Sequence, residues 1–241
     1  MLRKTKLIKD YYTLTKPGII YGNALTASAG FFLASRGAVD LWLLLATVAG
    51  LSLVIASACV FNNYVDRDID ALMERTRDRA LASRRLSTKS ALIFGSILGA
   101  LGFATLLFYT NPLACLVALL GFVVYVALYT PLKRRSGHAL FVGAVAGATP
   151  PVVGYAAAAG VLDISALWLF IFLFLWQLPH FIAISVYRAD EYAAAGVPLL
   201  LGRRTYTKRQ KNIAHAVFYF SLVVLLAWCA ALLLYSFSAP R

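Results

Sequence analysis

Asn62, Asp66 and Asp70 repeat at a four-residue step at the end of a long apolar run. If that run continues as a helix, each step turns by about 40° and rises about 6 Å, so the three side chains share one face. Asp68 points largely away from it. Like charges one turn apart destabilise a helix by about 0.2–0.5 kcal/mol. Carboxylates at a helix C-terminus also meet the unfavourable end of its dipole. At the centre of a bilayer each would cost about 2.5–3.5 kcal/mol, which places them at the interface or in a wet cavity. A divalent cation reverses the sign of all these terms. Mg²⁺ takes one or two carboxylates and fills the rest of its shell with water and substrate phosphate. Arg75, Arg77 and Arg79 follow, and guanidinium groups bind phosphate oxygens in pairs. The competing reading is a solvated acidic helix end balanced by arginines, which needs no ligand.

The elements that must hold these groups are membrane spans. Of 241 residues, 61% are hydrophobic and only 14% charged, with a mean hydropathy of +0.76. A soluble domain carries about 25% charged residues. That excludes a disordered chain, a soluble globular enzyme and a small secreted scaffold. It leaves a polytopic membrane protein of one domain, residues 1–241. Seven apolar segments are long enough to cross a bilayer: 18–36, 41–62, 90–109, 112–130, 139–160, 165–187 and 213–237. The expected fold class is an all-α bundle of about seven transmembrane helices around a central cavity open near the cytoplasmic face. Pro150 and Pro151 should bend the fifth span, and Pro179 should loosen the sixth.

The net charge of +13 is explained by topology. Apart from Arg36 and Arg241, every Lys and Arg falls in the N-terminal segment or in the second, fourth and sixth loops. The positive-inside rule makes those segments cytoplasmic. They are an N-terminal segment, 1–17, and the two long loops 63–89 and 188–212, with a short basic loop at Lys133, Arg134 and Arg135. The basic residues form no nucleic-acid module. Residues 1–17 read as a surface segment and not a signal peptide. Cys59, Cys115 and Cys229 lie far apart in apolar runs and read as packing residues. Loops 63–89 and 188–212 each begin with acidic residues after a long span, a weak internal echo of two half-repeats meeting around a site.

At these residues the sequence resembles the UbiA superfamily of intramembrane aromatic prenyltransferases, whose first motif is N-x-x-x-D-x-x-x-D. Within it the match narrows to the protohaem IX farnesyltransferase (haem O synthase) family. The blocks that carry it are Leu14-Thr15-Lys16-Pro17, Asn62 to Asp70 with Met73, Arg75, Thr76 and Arg79, Tyr129 to Ser136, Gly147 to Tyr155, Trp176-Gln177-Leu178-Pro179-His180-Phe181, and Arg188 to Pro198. They stand in the family's order. Departures fall at Ala80, Arg84 and Leu201, where the family usually has Pro, Gly and Pro. They put the shape of two cytoplasmic loops in question. Family chains usually run to nine spans, so the C-terminal end is expected to be short.

The resemblance implies a reaction: haem b, farnesyl diphosphate and water give haem O and diphosphate, with Mg²⁺ as cofactor. It assigns Asp66 and Asp70 to the metal and Asn62 to the same metal–diphosphate assembly. Asp190, with Glu191 beside it, resembles the second acidic site and is expected as a catalytic and metal residue, although position 194 is Ala where the motif has Asp. Arg75, Arg79, Lys133 and Arg134 are candidate diphosphate contacts. Gln177, His180 and Tyr192 are candidate substrate-binding residues, His180 by iron ligation or a propionate contact. Tyr64, Tyr129, Tyr155, Tyr187 and Tyr192 read mostly as an interfacial belt, with one or two able to face a carbocation. The implied partners are farnesyl diphosphate, haem b, the lipid bilayer, and haem A synthase or terminal oxidase assembly, in a prokaryotic plasma membrane rather than a mitochondrion. Rival readings are prenyl transfer to a quinone precursor or chlorophyllide, a transporter with an acidic cation site, and a non-catalytic haem-handling protein. Against the transporter, both acidic clusters lie at one face and none at midplane.

Overall fold

The computed structural model describes residues 2–202 and 205–238, with side chains from residue 6 onward. Arg203 and Arg204 of the basic segments lie outside the described residues, as do Arg241 and the side chains of Arg3 and Lys4. The regular elements among the described residues are all helices. Six helices or helix pairs are long and apolar enough to cross a membrane: Leu41–Asp70, Thr88–Tyr109, Pro112–Leu132, Ala139–Ala159, Ile164–Tyr187 and Lys208–Ser238. The first expected span, 18–36, forms a 19-residue helix, α2 (Pro17–Ser35). It is less apolar than the others because Asn23, Thr26, Ser28 and three glycines interrupt it. The basic N-terminal segment is itself helical, α1 (Leu2–Leu14).

The second span, α3 (Leu41–Asp70), runs without a break through the motif. Residues 63–70, expected as the start of a loop, are therefore helix. Asp40 starts it by accepting the Leu43 amide at 3.0 Å. Small residues let α3 approach α4 (Thr88–Tyr109). Gly95, Gly99 and Gly102 face Val60, Ser57 and Val54, and the Ser57 hydroxyl donates to the Gly95 carbonyl at 2.7 Å. The outer face of α4 carries Ile93, Ile97, Leu101 and Phe108, all exposed, as suits a surface solvated by lipid.

The fourth span changes its winding. It starts as α5 (Pro112–Val123), becomes π-helical over Val124–Tyr129 and closes with one α turn, α6 (Thr130–Leu132). The Thr130 hydroxyl donates to the Tyr125 carbonyl five residues back. Asn62 on α3 donates to that hydroxyl at 3.1 Å, tying the wide turn to the motif. The fifth span is interrupted at one residue: α7 (Ala139–Gly147) stops at Ala148, and α8 (Thr149–Ala159) starts with Pro150 and Pro151 in its first turn. Prolines are tolerated there, because first-turn amides have no partner inside the helix. By contrast α9 (Ile164–Tyr187) continues through Pro179. A short α10 (Ala189–Ala194) and the long α11 (Lys208–Ser238) complete the bundle.

Helices α2 and α8 interlock backbone to backbone. A Cβ on Gly154 would stand 1.8 Å from the Ala27 carbonyl oxygen, and one on Gly30 would stand 2.0 Å from that of Pro151. Neither neighbour is a side chain that could swing aside. Gly154→Ala should therefore push the helices apart and destabilise the protein by about 1–3 kcal/mol. Gly22→Ala, on α2, meets nothing within 4 Å and should hold or gain about 0.5–1 kcal/mol. Thermal unfolding of both variants in one detergent checks the contrast.

Candidate functional site

The end of α3 buries its motif. Asn62, Asp66 and Asp70 are 1%, 2% and 3% exposed, while the Asp68 side chain is mostly in the open. Two buried anions one turn apart need cations, and three arrive from elsewhere in the chain. Arg79 Nη1 lies 2.7 Å from Asp70 Oδ2. Lys133, just after α6, pairs with Asp66 Oδ2. Lys16, between α1 and α2, donates to Asn62 Oδ1. Asp66 Oδ1 remains buried with no hydrogen-bond partner. An orphaned carboxylate oxygen beside a second carboxylate fits a hard divalent cation, so the donor set suits Mg²⁺. Among the described residues no three His, Cys, Asp or Glu side chains converge on one point. Two carboxylates suffice where phosphate completes the shell.

These groups line a cavity of about 260 Å³, together with Arg75, Tyr125, Tyr129 and Tyr192. A larger, mostly apolar cavity of about 550 Å³ adjoins it, lined by Leu51, Val54, Phe122, Leu173, Trp176 and Phe218 among others. Ile19, Tyr125, Tyr129 and Phe181 line both. The two tyrosines stack with ring centroids 5.3 Å apart, and Lys133 Nζ sits 5.5 Å from the centre of the Tyr129 ring. Gln177 and His180 belong to the apolar cavity. Gln177 donates to the Ala144 and Leu173 carbonyls, bridging α9 to α7.

Two candidates lie outside both linings. Asp190 is exposed and ion-paired with Lys211, so the structure does not bring it to the α3 carboxylates. Arg134 is also exposed and donates to the Val65 carbonyl at 3.3 Å. Glu191 ties Arg188, at 2.8 Å, to Arg75, at 3.4 Å. Lys16 and Tyr125 were not singled out as site residues from sequence. Each left a signal: Lys16 stands in the Leu14–Pro17 block, and Tyr125, Tyr129 and Lys133 repeat the four-residue step of the acidic motif.

Lys16 is placed at a conformational cost. Its φ of 55° is left-handed, a region costing an ordinary residue about 1–2 kcal/mol. Contacts of the segment that precedes it hold it there. Asn63 donates to the Leu14 carbonyl at 2.8 Å. Asp10 on α1 takes Arg85 Nη2 at 2.8 Å, and that guanidinium holds its carboxyl below the usual carboxylate range.

A helical membrane bundle with an acidic and basic pocket opening through tyrosines onto a greasy chamber defines a class: an intramembrane enzyme for a substrate with an anionic head and an apolar tail. The profile of the UbiA prenyltransferase family matches residues 23–240. "Protoheme IX farnesyltransferase 2" of Pseudomonas fluorescens is 47% identical over 232 residues, 96% of this chain and 76% of its own length. "Protoheme IX farnesyltransferase" of Chromohalobacter salexigens is 49% identical over 220 residues, covering 91% of this chain and 73% of the relative. Among solved structures, a UbiA homolog from Archaeoglobus fulgidus bound to GPP and Mg²⁺ superposes with a TM-score of 0.73 at 15% identity, covering 95% of this chain and 98% of the other. The apo UbiA homolog from Aeropyrum pernix gives 0.65 at 19%, over 88% and 80%. At such low identity these two show the fold alone. The chain belongs to the UbiA prenyltransferase family.

The Asp10–Arg85 pair should behave as an acid-sensitive clamp on α1. A lowered carboxyl pKa stabilises the fold above the unfolded value of about 3.9, and the contribution is lost as pH falls through the lower folded value. Arg85→Ala should remove roughly 1 kcal/mol at neutral pH and speed tryptic cleavage after Lys6 and Lys9. Acidification below the carboxylate range should loosen the wild-type helix in the same way, read by pepsin digestion.

Proposed function

We propose that the protein transfers the farnesyl group of farnesyl diphosphate to a vinyl group of haem b, with addition of water, giving haem O and diphosphate. The observation that carries it is the pair of joined cavities: Asp66 and Asp70 among Lys16, Arg79 and Lys133 on one side of Tyr125 and Tyr129, an apolar chamber on the other. The names of the relatives and the Trp176–Phe181 block supply the acceptor.

Asp66 and Asp70 would hold Mg²⁺, and Asn62 would belong to the same assembly. When bound, the metal offsets the negative charge that grows on the diphosphate as its bond to the prenyl carbon breaks. Lys133, Arg79 and Arg75 place fixed positive charge on the same group. The electron pair of the breaking C–O bond leaves with diphosphate. The terminal vinyl carbon bonds the farnesyl carbon, and water adds at the vinyl carbon next to the porphyrin, losing a proton. Tyr125 and Tyr129 line the passage where the allylic cation forms, and aromatic rings attract cations. The apolar chamber limits stray water. Tyr192 would close the diphosphate side, while Gln177 and His180 would meet the haem. The protein would lie in a prokaryotic plasma membrane with its N-terminus and basic loops cytoplasmic. Asp190 and Arg134, outside the cavities, would act at most from the rim.

The test incubates purified protein with haem b, farnesyl diphosphate and Mg²⁺ and seeks farnesylated haem by mass. Product should vanish with EDTA. Asp66→Asn, Asp70→Asn and Lys133→Met should each lower turnover by about a hundredfold or more. Asp190→Asn should lose far less. Full activity in an Asp66→Asn/Asp70→Asn double variant would sink the metal assignment, and prenylation of hydroxybenzoate but not haem would reassign the acceptor.

A further inference from the structure

His180 sits in the larger cavity with a partner that the reaction above does not use. Its Nδ1 lies 2.8 Å from the Ser221 hydroxyl of α11. That oxygen lies 2.6 Å from the Phe218 carbonyl oxygen. A hydroxyl has one proton. Two oxygens 2.6 Å apart with no proton between them repel, so the Ser221 proton belongs on the Phe218 carbonyl. The hydroxyl then accepts from the imidazole, and Nδ1 carries the ring proton. Nε2 keeps its lone pair. It takes no partner among the described residues, and the ring lines the apolar cavity.

The surroundings hold this arrangement in place. Trp176 stacks on the His180 ring, 4.9 Å between centroids and 23° between planes. Phe218 lies 4.8 Å away on α11. The Trp176 indole donates to the Ser221 backbone carbonyl at 2.9 Å. One residue of α11 thus anchors both the base and the ring that stacks on it. His180 and Ser221 are buried, so bulk water does not compete for the hydrogen bond.

We propose that Ser221 is a positioning residue that fixes His180 as the Nδ1–H tautomer, so that Nε2 meets the cavity as an axial ligand for the iron of the haem substrate. This rests on the haem reading above. A ligating histidine that donates its other N–H to an acceptor is a stronger and better-aimed ligand, and removing such an acceptor costs about 10–100-fold in metal affinity. The bond would also set the height and tilt of the porphyrin, and so which edge meets the prenyl carbon.

The experiment titrates ferric haem b into the purified full chain and records the Soret band and the electron paramagnetic resonance spectrum. Wild type should show an imidazole-ligated haem. His180→Ala should lose that signature and recover it with free imidazole, which also shows that the variant is folded. Ser221→Ala should raise the haem Kd by roughly 10–100-fold and shift the spectrum, whereas Ser221→Thr, which keeps a hydroxyl, should stay near wild type. An unchanged spectrum in His180→Ala overturns the ligation. An unchanged Kd and spectrum in Ser221→Ala overturns the positioning role. In either case wild-type farnesylation of haem, measured separately by mass, would leave the proposed reaction standing. Wild type that neither binds nor farnesylates haem would end both.

Discussion

Two carboxylates, Asp66 and Asp70, are buried one helical turn apart at the end of a membrane span, and most of the site follows from that burial. In a medium of low dielectric an uncompensated charge costs several kcal/mol. The fold answers with cations drawn from three separate parts of the chain: Lys16, Arg79 and Lys133. The result is a pocket rich in both signs, with one carboxylate oxygen still unpartnered. Such a pocket is poorly satisfied by water alone. A metal with a phosphate satisfies it better, because the metal takes the carboxylates and the phosphate takes the lysines and arginine. The same charges that make the site hard to build make it selective for a ligand of mixed sign.

Holding those cations in register requires a backbone that departs from regular helix at several points. The chain enters α2 through a left-handed Lys16. The fourth span widens to a π-helix just before Lys133. The fifth is interrupted ahead of Pro150. Each departure gives residues to a cavity wall, although the π segment also exposes Ala127 and Leu128 on its outer face. The π turn is closed from within: the Thr130 amide and hydroxyl both donate to the Tyr125 carbonyl, and Asn62 donates to that hydroxyl. π-Helical segments recur at functional sites. Here the segment also delivers Tyr125 and Tyr129 to the boundary between the charged and apolar cavities.

The acidic face was legible because it needs one element and one period. A helix through 62–70 was enough to align Asn62, Asp66 and Asp70, and the structure supplies that helix. Their cationic partners were less legible, because pairing is tertiary. Lys16 and Asn62 are 46 residues apart, and Lys133 and Asp66 are 67 apart. Asp190 shows the reverse. Its family-like block suggested a second metal face, yet α10 is a single short helix whose Asp190 pairs with Lys211 and whose Glu191 pairs with Arg188 and Arg75. Span counting worked where runs were uniformly apolar. It was weakest at α2, whose polar and small residues serve packing against α8 and the cavity lining. The interrupted fifth span and the π turn could not be read from hydropathy, which is blind to winding.

The division into two cavities constrains the order of events. A substrate with a charged head and a long apolar tail can satisfy both chambers at once only by lying across the tyrosine pair, with its head toward α3. The reacting carbon then falls at the boundary between them, near the charge that draws electrons away and beside rings that tolerate a cation. An acceptor would reach that carbon from the apolar side, because the charged cavity would hold the head. In the proposed reaction the acceptor would therefore meet the wall that carries Trp176, Gln177 and His180. That is also where the helix pair α9 and α11 is stitched together, by Trp176 to Ser221 and Ser221 to His180. Under that reading the contact between these helices would be part of the acceptor wall, so the packing of α9 on α11 and acceptor geometry would not be independent.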